Sequence, residues 1–256
     1  MAWWSREGRG TAAHLQEGVQ DLAARHSEAV ARSAAGRPDE AVPLFEQVLE
    51  GCRATLGPDH PDTLTVAGNL GVTCMAAEQF RMGIDLLSVN LSDRVRVFGD
   101  DDLRTLTAAD ALATAYRLAG KLDDALALSG PVTAERRRIL GPAHPDTLTS
   151  RMGMALARGA TGDVESALTL LKAALNDSEQ VHGPRDGHTI ALRGNVGACE
   201  AVLGRERDAA ATFERAAVDA SVLYGPEHPY TVALREDMVN TSDVDRFVIA
   251  GSAVSA

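Results

Sequence analysis

Leu56-Gly57-Pro58-Asp59-His60-Pro61-Asp62-Thr63-Leu64 returns along the chain as FGDDDLRTL from Phe98, LGPAHPDTL from Leu140, HGPRDGHTI from His182 and YGPEHPYTV from Tyr224, a spacing of 42 residues. Gly57, Gly99, Gly141, Gly183 and Gly225 form one column, and Thr63, Thr105, Thr147, Thr189 and Thr231 form another. Leu64, Leu106, Leu148, Ile190 and Val232 keep the next position apolar. Five copies in register make the repeat, not the overall length, the feature that decides the fold.

A second break lies 21 residues before each glycine, at Gly36, Gly120, Gly162 and Gly204, with Glu78 in the remaining place. Between breaks, apolar residues recur at helical spacing, as in Ala41, Leu44, Phe45, Val48, Leu49 and Cys52. The Gly-Pro pair stops a helix, because glycine accepts the left-handed C-terminal conformation and proline cannot continue. Asp59-His60-Pro61-Asp62 then supplies a polar cap, a proline suited to the first turn and an acid favoured by the helix dipole. No segment alternates with period two, so no sheet is expected. First helices are predicted near 12–34, 61–77, 103–119, 145–161, 187–203 and 229–241, and second helices near 38–55, 80–97, 122–139, 164–181 and 206–223.

These residues resemble the tetratricopeptide repeat in its 42-residue, kinesin-light-chain-like form, of the kind found in actinobacterial tandem-repeat proteins. The carrying motifs are Asn69-Leu70-Gly71 and Asn195-Val196-Gly197, the small residues Gly83, Ala125, Ala167 and Ala209, and the L-G-P-x-H-P-x-T-L linker. The resemblance implies an all-α, right-handed α-solenoid of about five antiparallel helix pairs plus a C-terminal helix. The expected layout is a flexible N-terminus over 1–11, one solenoid over 12–242 and a tail over 243–256. Pro131, after Ser129-Gly130, is expected to kink or break its helix. The linkers at Asp100–Asp102 and Arg185–His188 lack the His-Pro pair, and the first repeat is degenerate.

Twenty-five Lys and Arg against 36 Asp and Glu give a net charge of −11, with 45% hydrophobic residues. That composition folds, and its acidity argues against nucleic acid or an anionic membrane as partner. Cys52, Cys74 and Cys199 are too scattered for a disulfide framework or a zinc ligand set, which points to a reducing, cytoplasmic setting. The opening MAWWSREGRG has no apolar signal region, and no stretch approaches the roughly 18 apolar residues that a transmembrane helix requires.

His60, His144 and His228 occupy equivalent linkers of different repeats and read as caps rather than ligands of one metal. His182 and His188 lack a third ligand. Asp100–Asp102 lacks the alternation of a calcium loop. Arg136–Arg138 reads as an exposed last turn complementing the helix dipole. With no phosphate loop, nucleophile elbow, zinc-protease or dinucleotide motif, no enzymatic activity and no cofactor or metal are expected.

The resemblance implies that first helices line a concave groove. Carried over by register, its inward residues are His26, Ser27 and Val30; Gly68, Asn69 and Val72; Asp110, Ala111 and Thr114; Met152, Gly153 and Leu156; and Gly194, Asn195 and Ala198. None is Lys, so the Lys/Asn clamp with which some relatives hold a C-terminal carboxylate is absent. Gly68, Ala111, Gly153, Gly194 and Ala198 are expected to admit a ligand backbone, Val72, Met152 and Leu156 to supply an apolar middle, and Asn69 and Asn195 either to bond to that backbone or to tie neighbouring helices. The expected function is a non-enzymatic scaffold or adaptor for a protein or peptide segment. The alternative is a regulatory sensor responding to a peptide or small ligand and acting in trans on an ATPase or DNA-binding partner. The tail, with Phe247-Val248-Ile249, is expected to support self-association or attachment.

Overall fold

The computed structural model describes residues 20–241, which form helices and turns with no strand among them. Eleven helices follow in order: α1 over 20–34, α2 Pro38–Thr55, α3 Pro61–Ala76, α4 Phe80–Phe98, α5 Leu103–Leu118, α6 Leu122–Leu140, α7 Pro145–Ala160, α8 Val164–His182, α9 Gly187–Val202, α10 Glu206–Leu223 and α11 Pro229–Val239. The expectations for 1–11, for the opening of the first helix over 12–19 and for the tail 243–256 lie outside the described residues.

The turns follow the sequence punctuation. The five Gly-column residues have φ between +87° and +98°, and the second break takes the same left-handed region at Gly36, Gly120, Gly162 and Gly204. Glu78, standing in that glycine column, has φ +59° and is the one non-glycine with positive φ among the described residues. A side chain there costs about 1 kcal/mol. The next helix opens on a capped N-terminus. Nδ1 of His60, His144 and His228 accepts from the backbone N–H of Asp62, Asp146 and Tyr230, each at 3.2 Å. Where histidine is missing, Asp102 accepts from the Arg104 N–H at 2.8 Å and Asp186 from those of His188 and Thr189 at 2.9 and 3.2 Å. The three histidines are therefore caps.

The chain divides into two compact units, meeting in sequence at Ala115 and Tyr116. In the N-terminal unit α2 packs on α3 and α3 on α4, around Ala29, Phe45, Val48, Leu49, Leu70 and Cys74. Backbones of α3 and α4 come close at Gly71 and Gly83, where a Cβ on Gly71 would stand 2.8 Å from Leu87 Cγ. In the C-terminal unit each helix from α6 to α11 packs on the next in the chain, and α7 also touches α9. Its cores gather around Leu148, Leu168, Leu171 and Leu192, and around Ile190, Phe213 and Leu234. Packing on sequence neighbours is the arrangement of an α-solenoid.

Two expectations are corrected. The break at Pro131 does not occur, for α6 runs through it from Leu122 to Leu140. Pro131 faces solvent while Ala125, Ser129, Val132 and Arg136 hold the buried side, so the loss of one backbone hydrogen bond does not end the helix. Arg136 is not an exposed last-turn residue. It is 3% exposed and donates through Nη1 to the Asp146 carbonyl at 2.9 Å and to Ser150 Oγ at 3.0 Å. Arg137 and Arg138 are the exposed members of the run, and Arg138 pairs with Glu135.

Candidate functional site

The residues carried over by register stand on α1, α3, α5, α7 and α9 in surroundings that range from buried to exposed. In the N-terminal unit, Asn69 Nδ2 lies 3.0 Å from His26 Nε2 and links α3 to α1. The His26 ring in turn meets Phe45 edge-on at 5.6 Å. Ser27 donates to its own helix, to the Ala23 carbonyl. Val30, Val72 and Thr114 are exposed, and Asp110 and Ala111 half-buried. Gly68 does not open toward a ligand, since its missing Cβ would sit 3.2 Å from Asn90 Oδ1 of α4.

In the C-terminal unit, Met152 and Asn195 lie inside the protein, at 6% and 5% exposure. Asn195 Nδ2 donates to the Ala191 carbonyl at 2.9 Å and reaches Met152 Sδ at 3.4 Å. This link joins α9 to α7 across the same 43-residue interval that separates His26 from Asn69. Both asparagines thus tie neighbouring first helices, and the nitrogen of Asn195 is spent inside. Gly194 also faces protein, with Tyr230 Oη 3.1 Å and Leu234 Cδ2 3.2 Å from a Cβ placed there. Gly153 is different, because a Cβ on it would meet nothing within 4 Å. Leu156 and Ala198 are half-buried.

Two profiles, each described as Tetratricopeptide repeat, match the chain, one over residues 20–88 and 146–217 and the other over 105–146. The chain belongs to the tetratricopeptide repeat family. Among curated proteins none matches it. Among solved structures, kinesin-light-chain-type repeats of Podosopora anserina superpose with TM-score 0.67 at 24% identity, over 78% of this chain and 95% of that one. BtubC (BKLC) from P. vanneervenii gives 0.58 at 15% identity, over 87% and 85%. PlcR of Bacillus thuringiensis, solved with the peptide PapR7 and DNA, gives 0.60 at 16% identity, over 87% and 75%. At these identities the likeness shows the fold.

Within this tetratricopeptide repeat frame lies a polar column that reading the sequence for site chemistry missed. Arg151, Arg193 and Arg235 stand 42 residues apart on α7, α9 and α11 and donate to the linker carbonyls of Pro142, Pro184 and Pro226 at 2.9, 3.4 and 3.1 Å. Arg151 also pairs with Asp177 at 2.7 Å, and Arg193 with Asp219 and Glu179, both at 2.6 Å. The signal was present in the register of the arginines and of Asp177 with Asp219. Arg193, 1% exposed, is a structural tie, while Arg151 is half-buried and Arg235 exposed.

No group of three His, Cys, Asp or Glu side chains among the described residues could hold a metal ion, and no described helix is long and apolar enough to cross a membrane. Cys52, Cys74 and Cys199 are free and buried. Burial first, and then Glu46 and Glu200 respectively, push the Cys74 and Cys199 thiols up to about 11.

Proposed function

We infer that this chain is a non-enzymatic scaffold that holds a protein or peptide segment against its first-helix face. The carrying observation is Gly153. Glycine inside a helix costs about 1 kcal/mol relative to alanine, and Gly68, Gly71, Gly194 and Gly197 each have a packing neighbour that accounts for it. Gly153, like Gly130 of the second helix α6, has none, and on the first-helix face close approach of another chain beside Leu156 and Ala198 gives it a reason. A segment with one or two apolar anchors suits this neutral surface, with Val72 and Thr114 offering a comparable face in the N-terminal unit. Asn69 and Asn195 serve it by fixing the spacing of the helices.

A second reading, a sensor acting in trans on an ATPase or DNA-binding partner, draws support from the similarity to PlcR, which was solved with a peptide and DNA. A cytoplasmic setting fits both. The test is affinity capture from the native cell with the parent chain and with Gly153→Trp. The variant should keep its thermal stability, because the added ring enters open space, and should lose the captured partner. Equal capture by the folded variant would move the site off this face.

A further inference from the structure

A second apolar surface lies on the other class of helix. Phe80, Met82, Leu86 and Val89 of α4 line an open groove of about 870 Å³, bounded by Arg53 near the end of α2 and by Asp85. Phe80, Met82 and Val89 are 38%, 36% and 59% exposed. The repeat itself shows that this is no general property of second helices. At the position of Met82 the other four carry Glu40, Asp124, Ser166 and Asp208, and at that of Val89 they carry Gln47, Pro131, Ala173 and Arg215. Only α4 presents apolar side chains at both positions, and an exposed apolar patch on a water-facing side marks a surface that something covers.

We propose that the chain's own N-terminal segment, residues 1–19, occupies this groove through Trp3 and Trp4. That segment lies outside the described residues, and two facts connect it to the groove. Leu22 of α1 lies against Gly51 of α2, two residues before Arg53, so the chain enters α1 about one helix diameter from the groove's edge. Fifteen residues separate Trp4 from α1 and span up to about 50 Å when extended, whereas Phe80 to Val89 covers about 14 Å of helix. The segment holds both tryptophans of the chain, and large rings with one polar edge suit a half-open apolar groove. The rim carries Glu78 and Asp85 against Arg53 and Arg81, so its charges balance and the apolar rings, not Arg6 and Arg9, carry the docking.

Because the chain has two tryptophans, both in this segment, their fluorescence reports on it alone. In the full chain, emission should lie to the blue of that in denaturant and be independent of protein concentration. Val89→Asp and Met82→Asp, surface changes that leave the helical circular dichroism intact, should shift emission to the red and raise acrylamide quenching by roughly twofold or more. Val181→Asp, an exposed site in the other unit, should change neither. Solvent-like emission in the parent, or no response to either α4 substitution, overturns the proposal. A blue shift that grows with concentration overturns it too, by assigning the groove to a second copy.

Discussion

The N-terminal unit fastens its buried arginine with neutral acceptors and keeps its carboxylate pairs, Arg96 with Asp59 and Arg104 with Asp102, at the surface, whereas the C-terminal unit pairs buried Arg193 with carboxylates. In the first, Asn90 Nδ2 donates to the Leu64 carbonyl at 2.7 Å, and Arg94 donates to Asn90 Oδ1 and to the Arg104 carbonyl, both at 3.0 Å. The C-terminal unit keeps one such bond through Arg136, in the same column as Arg94, and then adds Arg151 and Arg193 with their acids. At the corresponding positions of α3 and α5 the N-terminal unit has Ala67 and Ala109, and α1 has Arg25, exposed and paired with Asp21 on its own helix. One apolar frame therefore accepts two kinds of polar fastening, and they should fail differently. A buried arginine paired with acids leaves charges behind when removed, while one bonded to carbonyls leaves only neutral groups.

The largest expected effect is that of Arg193→Ala. It should cost about 3 kcal/mol, the low end for breaking a buried pair because Asp219 and Glu179 keep some access to solvent. Urea unfolding followed by helical signal would measure it, and a cost below that of Arg94→Ala would remove the contrast between the units. Arg94→Ala itself should cost about 2 kcal/mol, with less dependence on salt.

Caps sharpen the comparison within the repeats. Asp186→Ala removes two cap bonds and should lower stability by about 1 kcal/mol, while Asp186→Asn, which can still accept, should cost less. The smallest effect is a pH response of the N-terminal unit. Hydrogen bonds from Arg104 hold the Asp102 carboxyl down to about 2. Its folded value lies below the ordinary carboxylate range, so the contribution is full above about pH 4 and is lost as pH falls toward 2. Acid titration of the parent against Asp102→Asn, which retains the cap, should show less acid sensitivity between those values in the variant.

The helices and turns were legible because their signals are local and repeated. Gly-Pro stops, capping residues and apolar spacing each act over a few residues, so most of the expected ends lie close to the observed ones. Even the odd Glu78 could be placed from its column. Arg136 was not readable from its neighbours, since three adjacent arginines point about 100° apart and only one turns inward. The repeat register held the answer: Cys52, Arg94, Ser178 and Ala220 share its column and are all buried. The candidate face was readable as positions but not as chemistry. A helical glycine looks the same in sequence whether it faces Asn90, as Gly68 does, or open space, as Gly153 does.

The buried thiols turn the protein into its own clock. With values near 11, the thiolate fraction of Cys74 and Cys199 at neutral pH is on the order of one in ten thousand, and a labelling reagent must also wait for the chain to part. Cys52 and Cys74 belong to one unit and Cys199 to the other. Timed alkylation read by mass therefore records how often each half opens, separately and in the same tube, with no added probe.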